Sequence, residues 1–387
     1  MSKLFPYSTN RLHGLDHLRA IAIILVMVFH FGPGTPKWLQ PVALIGWSGV
    51  DLFFVLSGYL IGYQLLSEVK TSNSISFKRF YLKRAFRIIP AYFTVLIVYY
   101  ALPNLRGGRG MPPLWKFLTF TQNLGLDIET ENTFSHAWSL CIEEQFYVIF
   151  PLILLTIGTL NFRKKVFYLI TGLILLSIVL RLYSWSEYVQ PLIDIDAKAM
   201  TFSFFEKIYY PSHTRMDGLV VGITIASMAA FDSKLLSRLK KHGNLIFLIG
   251  ICMLLYAYKI SENLVSFNTT AYGFTMISLA YGIILIAAIS PTCFFYKIRS
   301  RITLVVATLS YSLYLTHKLI FNLTKRWIRE FEITLLSDWI FWACFIAAGC
   351  VSLILYLLVE KPCLRLRKEV LTSDIAILTI HKKMIDK

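Results

Sequence analysis

GWSGVDLFFVLSGYLIGYQLL, residues 46–66, contains a single charged group, Asp51, near its beginning. A helix needs about 20 mainly apolar residues to cross the hydrocarbon core of a bilayer. This stretch meets that length, and its small pair Ser57-Gly58 suits close packing between helices inside lipid. It decides the class of the chain: an all-α integral membrane protein. Working outward, nine further runs read the same way, at 15–34, 88–103, 136–158, 166–183, 212–231, 244–260, 272–290, 303–324 and 339–359. The expectation is about ten transmembrane helices in one bundle, over a domain of residues 1–360, with residues 361–387 as a short basic cytoplasmic tail. The N-terminal segment has no cleavage-site pattern, so the first hydrophobic run is expected to stay as a helix.

Composition agrees. Of 387 residues, 56% are hydrophobic and 16% charged, against roughly a quarter charged in soluble domains. The net charge of +17 would suggest nucleic acid for a soluble chain, but the basic residues sit in short loops between apolar runs, so no nucleic-acid partner is expected. Alternate loops hold 25 of the 39 Lys and Arg residues, in the two terminal tails and at 70–87, 163–165, 234–241 and 297–301. Such loops face the cytoplasm, which places both termini there. The six cysteines show no CxxC spacing, and neither a disulfide framework nor a metal site is expected.

Ionisable groups at membrane depth are costly and are read first as functional. Arg19 and His30 share a face of the first span, about 16 Å apart along the axis. Asp51 and Ser57 lie on the second. The fourth opens His136-Ala-Trp-Ser139-Leu-Cys-Ile-Glu143-Glu144, with His136, Glu143 and Tyr147 on one face by three-and-four spacing and Glu144 a quarter turn away. Arg181 and Arg215 are the basic groups available to neutralise these acids. Arg215 and Asp217 begin the sixth span, and His317 lies near the outer end of the ninth. Counted by depth, His30, Asp51, Glu143, Glu144, Arg215, Asp217 and His317 fall in the outer half of their spans. On the cytoplasmic side, Arg84 and Arg87 with Lys83 form a turn of basic groups suited to a polyanion.

Seven motifs in order then resemble the membrane acyltransferase-3 family of bacterial O-acyltransferases: LDHLRA (15–20) with His30 following Arg19, GVDLFFVLSGYLIG (49–62), KRAFRIIPAY (83–92), HAWSLCIEEQFYVIFP (136–151), RMDGLVVG (215–222), SYSLYLTH (310–317) and Glu360-Lys361-Pro362. His17 stands where the family more usually has Gly. The resemblance implies a multi-pass protein of the inner (plasma) membrane. It implies acetyl-coenzyme A or another acyl-CoA as donor substrate, no tightly bound cofactor, and a hydroxyl of an envelope polysaccharide or lipid-linked sugar as acceptor. It makes Arg19 and His30 the essential pair. Some relatives carry an extra helix and an extracytoplasmic hydrolase-like domain, and this chain is expected to lack both.

Acyl transfer from a thioester needs a base for the hydroxyl proton and stabilisation of the developing oxyanion. His30 is the expected base, with Glu143 or Glu144 orienting its ring and Arg19 orienting the donor. Arg84 and Arg87 are expected to hold coenzyme phosphates. Ser57, Asp51, Ser139, Arg215, Asp217 and His317 are further candidates for substrate or donor contacts. Ser57, Ser139 and Cys141 are conceivable acyl carriers but find no partner in the sequence, which leaves direct attack as the simpler path. A proton-coupled transporter or flippase is the rival reading, because buried His and Glu also relay protons.

Overall fold

The computed structural model describes residues 12–106, 110–157, 162–330 and 338–372. Helices stand at all ten expected positions: α1 (His13–Phe31), α2 (Gly49–Ser72), α3 (Phe77–Ala101), α4 (Trp138–Ile157), α5 (Phe162–Ser184), α6 (Asp217–Ala230), α7 (Gly243–Ile260), α8 (Phe274–Ala288), α9 (Arg301–Arg329) and α10 (Asp338–Leu355). Among the described residues, 8 helical runs are long and apolar enough to cross a membrane, or 9 if α6 and the short helix Lys234–Lys240, bent 98° from it, count as one. The chain is a multi-pass membrane protein.

The boundaries differ from the hydropathy reading where charge and apolar length compete. The basic stretch 70–87, expected to be a loop, is mostly helix. α2 runs on to Ser72 and is closed by Asn73 in the left-handed conformation (φ 52°), whose N–H donates to the Val69 carbonyl. That is the usual way a helix end satisfies an orphan carbonyl. α3 starts only at Phe77, and its early turns carry Lys78, Arg79, Lys83, Arg84 and Arg87. Span six was expected from residue 212, but the helix begins at Asp217, after a single 3-10 turn, Ser212–Thr214.

The helices fall into two compact units, Met1–Ile75 with Arg109–Ser310, and Ser76–Gly108 with Tyr311–Lys387. In the first unit α2 packs along α6, and glycine sets how closely. A Cβ on Gly58 would lie 2.1 Å from the Leu219 carbonyl oxygen, and one on Gly222 would lie 2.3 Å from that of Val55. Lipid offers no hydrophobic drive between helices, so backbone approach of this kind is what holds them. The outer face of α7 keeps Leu248 and Leu255 exposed, as hydrocarbon allows.

In the second unit, Tyr311 Oη of α9 donates to the Ile88 carbonyl of α3 at 2.9 Å. Thr316 and Ser352 share a hydrogen bond of 2.9 Å between α9 and α10. Beyond Leu355 the helix widens for one π turn, Tyr356–Glu360, and continues to residue 372. Trp38 and Trp115 of the first unit are exposed, as are Trp327, Trp339 and Trp342 of the second.

Candidate active site

His30 lies in the last turn of α1, half-buried. Its Nδ1 is 3.0 Å from the Val26 carbonyl, one turn earlier. A carbonyl only accepts, so Nδ1 carries the proton and the lone pair of the neutral ring sits on Nε2. The backbone of its own helix thus holds one nitrogen of the ring. The His136 ring stands 6.0 Å from it, edge to face. His136 is buried in the 3-10 turn Ser135–Ala137, entered through Phe134 with φ 58°, and its ring also meets that of Phe134 at 5.1 Å. Sequence reasoning placed His136 on the helix face but not among the site residues. The HAWSL motif was the available signal; what it lacked was the tight turn that delays α4 until Trp138.

Glu143 is anchored from two sides. Its Oε2 accepts from Ser57 Oγ of α2 and from Tyr147 Oη one turn on, each at 2.9 Å. Ser57, without a partner in the sequence, gains a carboxylate here. Its position is rigid, because the neighbouring Gly58 is pressed against α6. Glu144 is half-buried on the next azimuth, and Ser139 and Cys141 are buried within the helix. Arg19 is half-buried eleven residues before His30 on α1.

The buried arginines do not serve Glu143 or Glu144. Arg215 Nη2 donates to both oxygens of Asp51, at 2.9 and 3.0 Å, and both side chains are nearly inaccessible. Its guanidinium carbon lies 3.8 Å from the Phe274 ring centroid and 4.7 Å from that of Tyr209. Among the described residues Nη1 of Arg215 has no hydrogen-bond acceptor, and the ring faces supply the attraction instead. Arg181 pairs with Asp217 and donates further to the carbonyls of Thr270 and Thr214, each at 2.9 Å, and to Thr275 Oγ1 at 2.7 Å. Thr275 Oγ1 in turn donates to Asp217 at 2.8 Å. Asp51, Arg215 and Asp217 thus sit in two desolvated ion pairs that tie α2, α5, α6 and α8 together.

On the second unit, Arg84 and Arg87 are half-buried on α3. His317 repeats the arrangement at His30: it is buried, and its Nδ1 donates to the Leu313 carbonyl at 2.9 Å, between the rings of Tyr314 and Phe321. His17, the departure noted in the first motif, is buried, with Nε2 2.9 Å from the Ile298 carbonyl and its ring 4.9 Å from Phe295. It fastens the start of α1 to the segment before α9.

A family model described as an acyltransferase domain, acyltransferase type 3, matches residues 12–360. The peptidoglycan O-acetyltransferase OatA of Listeria monocytogenes is 31% identical over 349 residues, a match covering 84% of this chain and 51% of the relative. The O-acetyltransferase OatA of Staphylococcus aureus is 29% identical over 328 residues, covering 80% and 51%. The chain spans about half the length of the curated relatives it matches. No solved structure gives a significant match.

Proposed function

The chain belongs to the acyltransferase-3 family, and on that premise we propose that it moves an acetyl group from cytoplasmic acetyl-coenzyme A to a hydroxyl of an envelope polysaccharide or lipid-linked sugar. The observation that carries this reading is His30. Its Nδ1–H is committed to the Val26 carbonyl, so the basic nitrogen is Nε2, the atom a general base needs. Nε2 takes the proton of the acceptor hydroxyl as its oxygen attacks the thioester carbonyl. Collapse of the tetrahedral intermediate expels the thiolate, which recovers that proton from the imidazolium. Arg19 orients the donor, and Arg84 and Arg87 hold its phosphates. Glu143, fixed by Ser57 and Tyr147, with Glu144 beside it, gives the site its negative charge. The buried Asp51–Arg215 pair holds α2, which carries Ser57, against the start of α6.

The relative's name carries the word peptidoglycan, which supports an envelope glycan as acceptor class. Charge asymmetry of the loops supports ten crossings of the plasma (inner) membrane with both ends in the cytoplasm. The Ser57–Glu143 hydrogen bond supports a second path, in which Ser57 carries the acetyl group between donor and acceptor and Glu143 takes its proton.

The test is transfer of label from radiolabelled acetyl-coenzyme A to envelope glycan by the full chain in proteoliposomes. A transporter or flippase gives none. His30→Gln keeps a hydrogen-bonding side chain but no base, and turnover is expected to fall about 10²–10⁴-fold. Near-normal turnover with saturating donor would remove His30 from the chemistry. Ser57→Ala then separates the two paths, since direct transfer survives it and a seryl intermediate does not.

A further inference from the structure

A crevice of about 790 Å³ runs between α4, α5 and α6, within the first compact unit. Its size falls in the range of about 300–1,000 Å³ usual for small-molecule sites. Ile142, Phe146, Ile149 and Ile153 line it from α4, the three-and-four spacing of a single helix face. Leu173 of α5 and Leu219 and Ile223 of α6 form the facing walls. From Ile142 to Leu154, the last lining residue of α4, the helix rises about 18 Å, more than half of the roughly 30 Å hydrocarbon core. Ile142, Leu219 and Ile223 are buried, whereas Ile149 is 53% exposed and stands at the mouth. Its neighbours Val148 and Leu152 are exposed and apolar, so the opening faces hydrocarbon rather than water.

The polar groups on its lining, Gln145 and Ser212, are turned to each other. Gln145 Nε2 donates to the Phe120 carbonyl at 2.8 Å and to Asn123 Oδ1 at 3.0 Å. Ser212 Oγ accepts from Asn123 Nδ2 at 2.9 Å and donates to Gln145 Oε1. Each of these atoms thus has a protein partner, and the crevice offers an occupant apolar contact alone. A hydrocarbon chain meets that condition; a sugar or a coenzyme phosphate would be stripped of water without compensation. Two lining residues, Phe150 and Leu154, follow Glu143 by seven and eleven residues, on the same side of α4. The crevice therefore continues down the helix from the carboxylate that Ser57 and Tyr147 hold, and a chain lying in it carries its head group at the level of Glu143. We propose that this crevice binds the hydrocarbon chain of a lipid-linked sugar and so presents the acceptor hydroxyl from within the membrane. The inference rests on the acyl-transfer reading above and narrows its acceptor class, because a polysaccharide without a lipid anchor has nothing to place there.

The full chain in phosphatidylcholine nanodiscs is photolabelled with farnesyl N-acetylglucosaminide carrying a diazirine in its chain, and in parallel with phosphatidylcholine tagged in the same way. The glycolipid is expected to mark the lining peptides of α4 and α6 far more strongly than the tagged phospholipid does, and unlabelled glycolipid to compete the mark away. Ile149→Trp narrows the mouth at an exposed position and is expected to cut this labelling about tenfold, the effect of leaving about two methylenes of the chain unburied. Leu248→Trp, on the exposed face of α7, leaves it unchanged. In acetyl transfer, Ile149→Trp should raise KM for the farnesyl glycoside by the same factor, with kcat and transfer to the methyl glycoside of the same sugar unaltered. Competed labelling of the crevice with no acetyl transfer to either glycoside keeps the site and removes a sugar hydroxyl as acceptor. Equal labelling by the phospholipid overturns the proposal and makes the crevice a seat for ordinary lipid. Labelling confined to other helices, labelling unchanged in Ile149→Trp, or an equal loss in Leu248→Trp overturns it as well.

Discussion

At the scale of single residues, the same chemistry has two fates in this protein. Glu143, held by two hydroxyls, stays half-buried, whereas Asp51 and Asp217, held by guanidinium groups, are sealed away. Removing one member of a sealed pair leaves a buried charge uncompensated, a loss of about 3–5 kcal/mol. Asp51→Asn and Arg215→Gln are each expected to lower the thermal unfolding midpoint in detergent, and the double variant to cost less than the sum of the two. Strict additivity would show that the pair is not coupled. The types and depths of these residues were legible in the sequence, but their partners were not. Depth along a helix follows from counting residues, while the direction a side chain faces depends on how neighbouring helices are rotated. For that reason Arg181 and Arg215 were open partners for Glu143 and Glu144 until the fold assigned them to Asp217 and Asp51. The His30 tautomer was equally hidden, since it depends on a backbone carbonyl that any sequence would supply.

At the scale of elements, hydrophobic runs located the helices, and charge misplaced some of their ends. α3 is the clearest case: basic residues ended the apolar run at 88, yet the helix starts at Phe77, because Lys and Arg are good helix formers and extend their charged heads into water. The α2–α6 contact was visible as small residues at Gly58, Gly218 and Gly222 without indicating which helices met. It gives a test at this scale. In Gly222→Ala the new methyl meets the Val55 carbonyl oxygen at 2.3 Å, so α2 must move and carry Ser57 away from Glu143. Acetyl transfer is expected to fall at least tenfold with membrane insertion intact, roughly the effect of a misplacement on the order of 1 Å at an active site. Gly172→Ala, where a Cβ meets nothing within 4 Å, is the matched control and should leave activity unchanged.

At the scale of the whole molecule, sidedness comes from loops rather than helices. Residues 78, 163, 240 and 299 lie in basic segments and are placed in the cytoplasm by the rule that such segments stay inside. A cysteine introduced at 240 should resist membrane-impermeant maleimide in intact cells, and one at 195, in the acidic outer segment, should react. The reverse pattern would turn the molecule over. The same orientation puts all eight tryptophans in or beside outward-facing segments, and the exposed rings at Trp38, Trp115, Trp327, Trp339 and Trp342 match the preference of indole for the headgroup layer. The loop-charge rule therefore makes an optical prediction, that the exposed indoles emit from the outer leaflet. Iodide added to right-side-out vesicles is expected to quench the five exposed rings and leave the buried Trp47, Trp138 and Trp185 bright, while the same iodide outside inverted vesicles should quench little; equal quenching from both sides would remove this one-sided label.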